Sequence, residues 1–357
     1  MKILIEICHP AHVHYFRNMI RILKSEGHDI LIAAQDRGII KELLTHYKLE
    51  FFLFKNSSKN IFGKFLHIIN SDMVIYKHAR KFKPDILIGF AGTYISHVGW
   101  IINKPRIVVD DTEHANLTHF TYKYFASNIL TPSCFHKNFG RKQIRFNSYI
   151  ELAYLYPKYF KPDFNILNEL NIDKTKKNIL IRFVSWRASH DIGQSGLSFE
   201  AKIKLVETLS THANIIISSE EKLPVELIKF QYRFKPERMH DILASVDLFI
   251  GEGATMASEC AILGTPAIYI NSLELGYTTE QEEKYGLVYN FRNADGVLQK
   301  ALSLIKIPNL KNNYLEGKTK LLQDKIDITT FLVWFLKNYP ESSTIMEKNP
   351  ESQDVFK

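Results

Sequence analysis

Cysteine is scarce in this chain and cannot staple it. The three that occur, Cys8, Cys134 and Cys260, stand far apart, form no CxxC pair or zinc-ligand spacing, and by their odd number argue against a disulfide framework. Isolated thiols of this kind suit a reducing compartment. Long apolar runs are missing too. None reaches the roughly 18 residues that a membrane-spanning helix needs. The opening MKILIEICHP is too short and too soon interrupted for a secretory leader. The expectation is a cytoplasmic protein, one that can touch the inner face of a membrane but does not cross it.

What is present is material for two cores. The chain has 357 residues, and 45% of them are apolar. Lys and Arg exceed Asp and Glu by 46 − 38 = 8, which favours an acidic ligand, an anionic membrane surface or nucleic acid. Phe51–Leu66 mixes aromatics with Lys55, Lys59 and Lys64, a patch that can lie on anionic lipid or be a buried strand followed by a solvated loop. No recognisable nucleic-acid module accompanies it, so no nucleic-acid partner is expected.

Strand-like and helix-like stretches alternate. Ile3–Ile7, Ile30–Ala34, Phe51–Phe54, Ile86–Gly89, Arg106–Val109 and Ile129–Leu130 read as strands, and Phe16, Met19, Ile20 and Leu23 recur at helical spacing. Tyr149–Asp173 holds Pro157 and Pro162 and no clear period, which marks a domain boundary. A second series opens at Ile179–Phe183 and continues through a helix at Phe199–Ser210, the strand Asn214–Ser218 and a helix at Met239–Ala244. Phe291–Ile305 and Asp327–Asn338 read as helices. The expected division is an N-terminal Rossmann-like, acceptor-side domain over 1–155, a linker over 156–173, a C-terminal Rossmann-like, nucleotide-sugar-binding domain over 174–340 and a disordered polar tail over 341–357.

Phe249–Ile270, FIGEGATMASECAILGTPAIYI, is the most informative stretch. An apolar strand runs into Gly251, Glu252 and Gly253, a helix follows to Leu263, Gly264 to Pro266 stop it, and a buried strand begins at Ala267. Parallel sheets bind ligands at the carboxyl ends of such strands. Backbone amides and the helix dipole there suit a diphosphate. Glu259, on the same helix, can accept hydrogen bonds from ribose hydroxyls.

Other polar clusters follow strands. Cys8-His9-Pro10-Ala11-His12-Val13-His14 comes directly after the first. One of its imidazoles can serve as a base or substrate ligand; a metal role or helix capping are the alternatives. Gly92 and Thr93 belong to a small-residue turn that lets a substrate approach or is only a tight βα turn. Asp110 to His114 put four ionisable groups at a strand end, costly to bury unpaired and therefore expected to face a cleft. A carboxylate there, Asp111 or Glu113, can orient a histidine or bind an acceptor hydroxyl. Ser185, Arg187 and His190 can contact a phosphate. Thr278 and Thr279 follow the strand Ala267–Ile270 and suit sugar hydroxyls. The Asp-x-Asp triplet that holds a metal–diphosphate in many sugar transferases is absent, which favours a site without metal.

Taken in this order, the pieces resemble the GT-B glycosyltransferase superfamily, over roughly residues 1–335. By motif the chain is similar to the N-acetylglucosaminyltransferase family that makes lipid II, and UDP-N-acetylglucosamine 2-epimerases share the fold. The opening HPAHVHYFRN followed by GHDILIAAQ resembles a bacterial and archaeal family with no assigned function. His12-Val13 with Gly27, the stretch KPDILIGFAGTY over Lys83–Tyr94, Asp111–His114 and Glu252–Glu259 carry the likeness. It implies that Gly253, Ala254, Thr255 and Met256 line a diphosphate and that Glu259 holds the ribose; Gly251, just before this segment, is expected in the same nucleotide-sugar site. Two glycine-rich loops of the lipid II enzymes are replaced here, by Cys8-His9-Pro10-Ala11 and by Val184-Ser185-Trp186-Arg187. Proline removes a donor from the first.

The expected fold is α/β and GT-B-like, two Rossmann-like domains with parallel sheets facing an interdomain cleft, the last helix packing back on the first. The expected activity is metal-independent, cofactor-free transfer of a sugar from a nucleotide-sugar, a UDP-sugar, to an envelope polysaccharide or lipid-linked saccharide. His12 is the leading base, His14 the second, with Asp111 or Glu113 assisting. Arg187 and His190 stabilise the leaving UDP with Ser185, and His9, Gly92, Thr93 and His114 lie on the acceptor side. The alternatives are a sugar-nucleotide 2-epimerase and a non-catalytic sugar-nucleotide-binding protein.

Overall fold

A computed structural model describes residues 1–55, 61–173, 175–184, 197–219 and 222–357, the side chains of 61–66 excepted. Ser185, Arg187 and His190 lie outside the described residues, as does much of the Phe51–Leu66 patch. The chain forms two compact units, Met1–Tyr154 with Lys325–Lys357, and Leu155–Asp324.

The first unit is built on strands β1 (Lys2–Ile7), β2 (Asp29–Gln35), β3 (Phe51–Phe54), β4 (Ile86–Phe90), β5 (Arg106–Val109), β6 (Asn128–Pro132) and β7 (Gln143–Phe146). Helices α1 (Pro10–Ser25), α2 (Gly38–His46), α3 (Ile61–Phe82), α4 (Thr93–Ile101), α5 (Asn116–Tyr122) and the short α6 (Leu152–Leu155) connect or follow them. All strands are parallel, in the order β3-β2-β1-β4-β5-β6-β7. β1 is buried along Ile3, Leu4, Ile5 and Ile7, as a strand covered on both faces must be. It pairs with β2 on one side and β4 on the other, so the strand order reverses beside it and a crevice opens at its carboxyl end. Phe16, Met19, Ile20 and Leu23 of α1 are fully buried, the face that the helical spacing marks.

The second unit holds α7 (Ile166–Glu169), β8 (Asn178–Phe183), α8 (Phe199–Ser210), β9 (Asn214–Ser219), α9 (Met239–Ser245), β10 (Leu248–Gly251), α10 (Ala254–Leu263), β11 (Ala267–Ile270), α11 (Gly276–Glu283), β12 (Val288–Phe291), α12 (Val297–Ile305) and α13 (Leu315–Asp324). Its sheet is parallel, in the order β12-β11-β10-β8-β9, and reverses between β10 and β8. The helix expected from Phe291 begins only at Val297, because the chain first completes β12.

Three further segments differ from the sequence expectation. The stretch read as a linker packs into the second unit: the Asp163 amide donates to Asp241 at 2.9 Å, and Arg238 reaches Asp163 at 2.9 Å and Glu169 at 3.6 Å. The second unit ends at Asp324 rather than at 340, and α14 (Ile328–Lys337) belongs to the first, in line with the expected return of the last helix onto it. The tail read as disordered is helical, as α15 (Glu341–Lys348) and a 3₁₀ turn over Pro350–Phe356. Its polar composition hides a small apolar face: Met346 is buried, and the Phe356 ring meets Phe331 and Trp334 at 5.8 and 5.4 Å.

Candidate functional site

In the second unit, β10 delivers its chain to the reversal point and turns through Gly251, Glu252 and Gly253 into α10. The protein itself requires Gly251, since a Cβ there would stand 2.5 Å from the Phe249 ring. Gly253 is different: its Cβ would meet nothing nearer than Val184 Cγ1 at 3.6 Å, so the protein leaves space at that point of the turn. Gly253 is the N-cap of α10 and supplies no side chain to cap it. Gly253, Ala254, Thr255 and Met256 are half-buried, and the N-cap glycine gives the first amides of the helix no side-chain cap. The opposite end is closed. The Thr265 amide donates to the Cys260 carbonyl at 2.8 Å and Lys318 Nζ to the Leu263 carbonyl at 3.1 Å. An anion at the N-terminus would therefore meet the positive end of a helix whose negative end is already compensated.

Two buried carboxylates flank this turn. Glu252 accepts from the Val184 amide at 3.1 Å and the Leu197 amide at 2.7 Å. Glu259, one turn and a half into α10, accepts from His240 Nε2 of α9 at 3.0 Å. Gln281 of α11 donates to Ser258 at 2.8 Å, fixing the same stretch of α10 from another side. Thr278 is buried and spends its hydroxyl on the Leu275 carbonyl at 3.1 Å, inside its own helix start, while Thr279 is half-buried.

In the first unit, the turn after β1 is held by its histidines. His9 is the N-cap of α1, its Nδ1 accepting from the Ala11 amide at 3.2 Å. The His12 amide bonds to the His9 carbonyl, and Pro10 has no N–H, so this helix start offers few donors to a ligand. His12 Nδ1 accepts from the Cys8 amide at 3.3 Å. His14 Nδ1 faces Arg17 Nη1 at 3.1 Å, and the guanidinium can only donate. His14 and Arg17 sit among Tyr47 and Tyr154, with the Arg17 guanidinium 4.6 Å from the Tyr47 ring.

Glu6, on β1, is buried between β4 and α4. Its carboxyl accepts from the Ile95 amide at 2.8 Å and from Cys8 Sγ at 3.1 Å. Burial pushes its pKa up to about 7. Gly89 and Gly92 make room for this contact: a Cβ on Gly89 would press on Glu6 Cβ at 3.1 Å, and one on Gly92 would stand 2.7 Å from Ile95. The Gly92–Thr93 turn is thus built for close packing, and the Thr93 hydroxyl pairs with Thr121 at 2.7 Å.

The acidic stretch after β5 divides its labour. Asp110 is fully buried and accepts from the Thr112 amide at 2.9 Å, from the Tyr122 hydroxyl, and lies 3.4 Å from His119 Nε2. Asp111 is buried beside it, with the Thr112 hydroxyl on its Oδ1 at 3.0 Å. Burial, and then the neighbouring Asp110 charge, raise its pKa to about 8. Glu113 is buried and accepts from the His136 amide at 3.3 Å, and His114 is half-buried. Asp110 thus scaffolds the turn, while Asp111 holds a proton near neutral pH. Among the described residues, no three His, Cys, Asp or Glu side chains form a group that could hold a metal ion.

Sequence reading passed over Glu6, Glu252 and His240 as functional positions. The one available signal was a charged side chain inside or beside an apolar strand, which is costly unless partnered.

The profile of the family described as "Protein of unknown function (DUF354)" matches residues 1–332. The chain is 26% identical over 274 residues to a UDP-N-acetylglucosamine–N-acetylmuramyl-(pentapeptide) pyrophosphoryl-undecaprenol N-acetylglucosamine transferase of Thermosipho africanus, covering 71% of this chain and 72% of that one. The fold is similar to UDP-GlcNAc 2-epimerase from Neisseria meningitidis bound to UDP-GlcNAc, with TM-score 0.68, 12% identity and coverage of 95% and 100%. It is also similar to the spinosyn rhamnosyltransferase SpnG complexed with spinosyn aglycone, with TM-score 0.62, 12% identity and the same coverage, 95% and 100%. Two Rossmann-like units with parallel sheets of seven and five strands give the chain the same GT-B-like fold as these glycosyltransferase and 2-epimerase structures.

Proposed function

The chain belongs to the DUF354 family, and from that premise we propose that it is a glycosyltransferase that moves a sugar from a UDP-sugar to a saccharide or lipid-linked saccharide, without metal. The observation that carries this is the N-terminus of α10 behind Gly251-Glu252-Gly253, whose N-cap glycine supplies no capping side chain. In this reading the amides of Gly253 to Met256 take the diphosphate, and the helix dipole absorbs charge that develops on the leaving UDP. Glu259 holds the ribose, and its bond to His240 at 3.0 Å fixes the carboxylate in place. The first unit supplies the acceptor chemistry. Asp111, whose pKa lies at about 8, is a base matched to a hydroxyl acceptor in mildly alkaline solution.

The acceptor is proposed to be presented at an anionic membrane surface. Trp100 and Ile101 of α4 and Leu117, Phe120 and Tyr124 on or beside α5 are all exposed. Lys123 lies over the Tyr124 ring at 4.8 Å and the Phe120 ring at 5.8 Å. Aromatic and cationic side chains so interleaved suit a lipid interface. Among the described residues no helix is long and apolar enough to cross a membrane.

A 2-epimerase reading has its own support, in the buried carboxyls Asp111 and Glu113 and in the fold shared with the Neisseria epimerase. Calorimetric titration with UDP and UDP-sugars, run beside a UDP-release assay with and without acceptor extract, separates the two. Transfer predicts acceptor-dependent UDP release that survives EDTA. Conversion of free UDP-sugar to its epimer, with no acceptor present, would replace transfer by epimerisation. Binding with neither reaction would leave a sugar-nucleotide-binding protein.

A further inference from the structure

We propose that His12 meets its ligand as a hydrogen-bond donor through Nε2–H, not as a base, and that Glu6 is the positioning residue that holds the ring in that form. The ligand group is an anionic or strongly polarised oxygen. The proposal departs from the sequence expectation for His12. Its catalytic arm rests on the glycosyl-transfer reading; its structural arm does not.

The tautomer follows from one contact. A backbone amide can only donate, so the Cys8 N–H on Nδ1 at 3.3 Å leaves that nitrogen with its lone pair, and a neutral ring then carries its proton on Nε2. The ring is kept neutral. His12 is 8% exposed, and burial lowers its pKa well below the ordinary value, with His9 and Arg37 acting in the same direction. A ring protonated on Nε2 cannot take a proton there, and its basic nitrogen faces the Cys8 turn. Tyr15 and Phe90 pack the ring at 5.8 and 5.0 Å and His9 at 5.8 Å, which resists the flip a base would need. Among the described residues, no hydrogen bond reaches Nε2. It is a donor that nothing described satisfies, on a ring that is nine-tenths buried at the carboxyl end of β1.

Glu6 enters because the Cys8 turn needs a fixed seat. Its carboxyl takes the Ile95 amide on one oxygen and Cys8 Sγ on the other, so α4 and the end of β1 are tied through one side chain. The groups acting on Glu6 are Cys8 and, more distantly, Asp72 and His97; those acting on His12 are His9 and Arg37. The chain of contacts is therefore Ile95 amide to Glu6, Glu6 to Cys8 thiol, and Cys8 amide to His12 Nδ1.

The structural test is ¹⁵N NMR of the imidazole in the full chain without substrate, between pH 5.5 and 8, each value chosen to bracket the ordinary histidine range of about 6.5. The expected result is an unprotonated Nδ1, a protonated Nε2 and no titration, with Nε2 shifting on addition of inorganic phosphate or UDP-sugar. If phosphate alone shifts it, the site takes a free oxyanion; if only UDP-sugar does, it reads the donor. An Nδ1–H tautomer, an imidazolium at neutral pH, or no response to either probe overturns the proposal. Glu6→Gln, checked for folding by circular dichroism, and the milder Cys8→Ala should mix the tautomers; an unchanged spectrum in both removes the role of Glu6.

The catalytic test compares two amides. The Gln amide N–H reaches near the place of Nε2, the Asn amide near that of Nδ1. Losing one donor to a developing anion costs about a hundredfold or more in turnover, so His12→Asn should fall by about that factor and His12→Gln should recover most of it. Equal loss in both, together with an acidic limb in the wild-type rate that vanishes in the variants, would restore the base. If no turnover is found for any protein, the transfer reading fails, and the NMR arm still decides the role of His12.

Discussion

Glu252 accepts the Val184 amide at 3.1 Å and the Leu197 amide at 2.7 Å, and so ties together the two ends of the segment that carries Arg187 and His190 in sequence. The carboxylate does this from within the turn that begins α10. Removing it strands two half-buried amides, which costs about 1–3 kcal/mol at most. Glu252→Ala should lower unfolding stability in urea by that amount and weaken UDP binding, while Glu252→Gln, which keeps one acceptor, should lose less of both. Full UDP affinity in the alanine variant would separate the segment from the nucleotide.

Glu259 and His240 form a buried polar pair in the same unit, at 3.0 Å. A carboxylate that accepts ribose hydroxyls contributes about 1.5–3 kcal/mol, or roughly ten- to a hundredfold in Kd. Glu259→Ala should weaken UDP by that factor in calorimetric titration. His240→Gln leaves the carboxylate with a donor and should weaken it less. The comparison ligand is uracil-free pyrophosphate, whose affinity should be nearly unchanged in both variants, because it has no ribose to lose. Equal weakening of UDP and pyrophosphate would point to a damaged helix instead.

Local pattern carried much of the architecture, and distance explains what it missed. β1, β8, β10 and α10 were legible because apolar runs and the Gly251-Glu252-Gly253 turn announce themselves within a few residues. β7 and β12 were not, since both are edge strands with half-buried polar residues, Gln143 and Arg145 in one and Asn290 in the other. The histidines after β1 were visible as a group, yet their roles depend on which backbone or guanidinium donor meets each Nδ1. Glu6 and Glu252 gain their meaning from Ile95 and Leu197, far along the chain, and no periodicity reports such a pairing.

The raised carboxyl groups set a pH dependence. Asp111 and Glu6 hold protons in the folded chain up to about pH 8 and about pH 7, whereas the unfolded chain releases them near the ordinary 3.8 and 4.5. The native state therefore binds more protons across that window, and stability falls as pH rises through it. Asp111→Asn and Glu6→Gln should each flatten the decline, by on the order of a few kcal/mol between about pH 4 and pH 8. Urea unfolding at a series of pH values reads this directly. If Asp111 is the base, turnover should rise with pH to a plateau above about 8, and Asp111→Asn should abolish it.

The exposed aromatic group of α4 and α5 predicts a vesicle result. Phe120 and Tyr124 are 61% and 63% exposed, and their replacement by Ser disturbs no buried core. Phe120→Ser with Tyr124→Ser should reduce co-sedimentation with vesicles containing anionic lipid, and should leave unfolding stability within about 0.5 kcal/mol. Lys123→Glu should reduce it further and do so most at low salt. Binding to neutral vesicles as strong as to anionic ones would argue for apolar contact without charge recognition.

The C-terminal helices decide whether the first unit is complete without them. The Asn147 amide donates to Gln353 at 2.7 Å, the Asp327 amide to the Phe356 carbonyl at 2.8 Å and the Ser342 hydroxyl to the Phe335 carbonyl at 2.6 Å. These bonds tie the tail to β7's exit and to both ends of α14, and α14 in turn lies against α1. Because α1 begins at the histidine turn, loosening α14 should be felt there. Met346→Ala or Phe356→Ala removes apolar contact worth roughly 2–5 kcal/mol for a buried side chain, nearer the low end for the half-buried phenylalanine. Deleting residues 341–357 should cost more than either, broaden the His12 imidazole signals and spare UDP affinity, since the proposed nucleotide site lies in the other unit. A deletion that left stability unchanged would mean that the tail's packing contributes nothing net, despite its bonds.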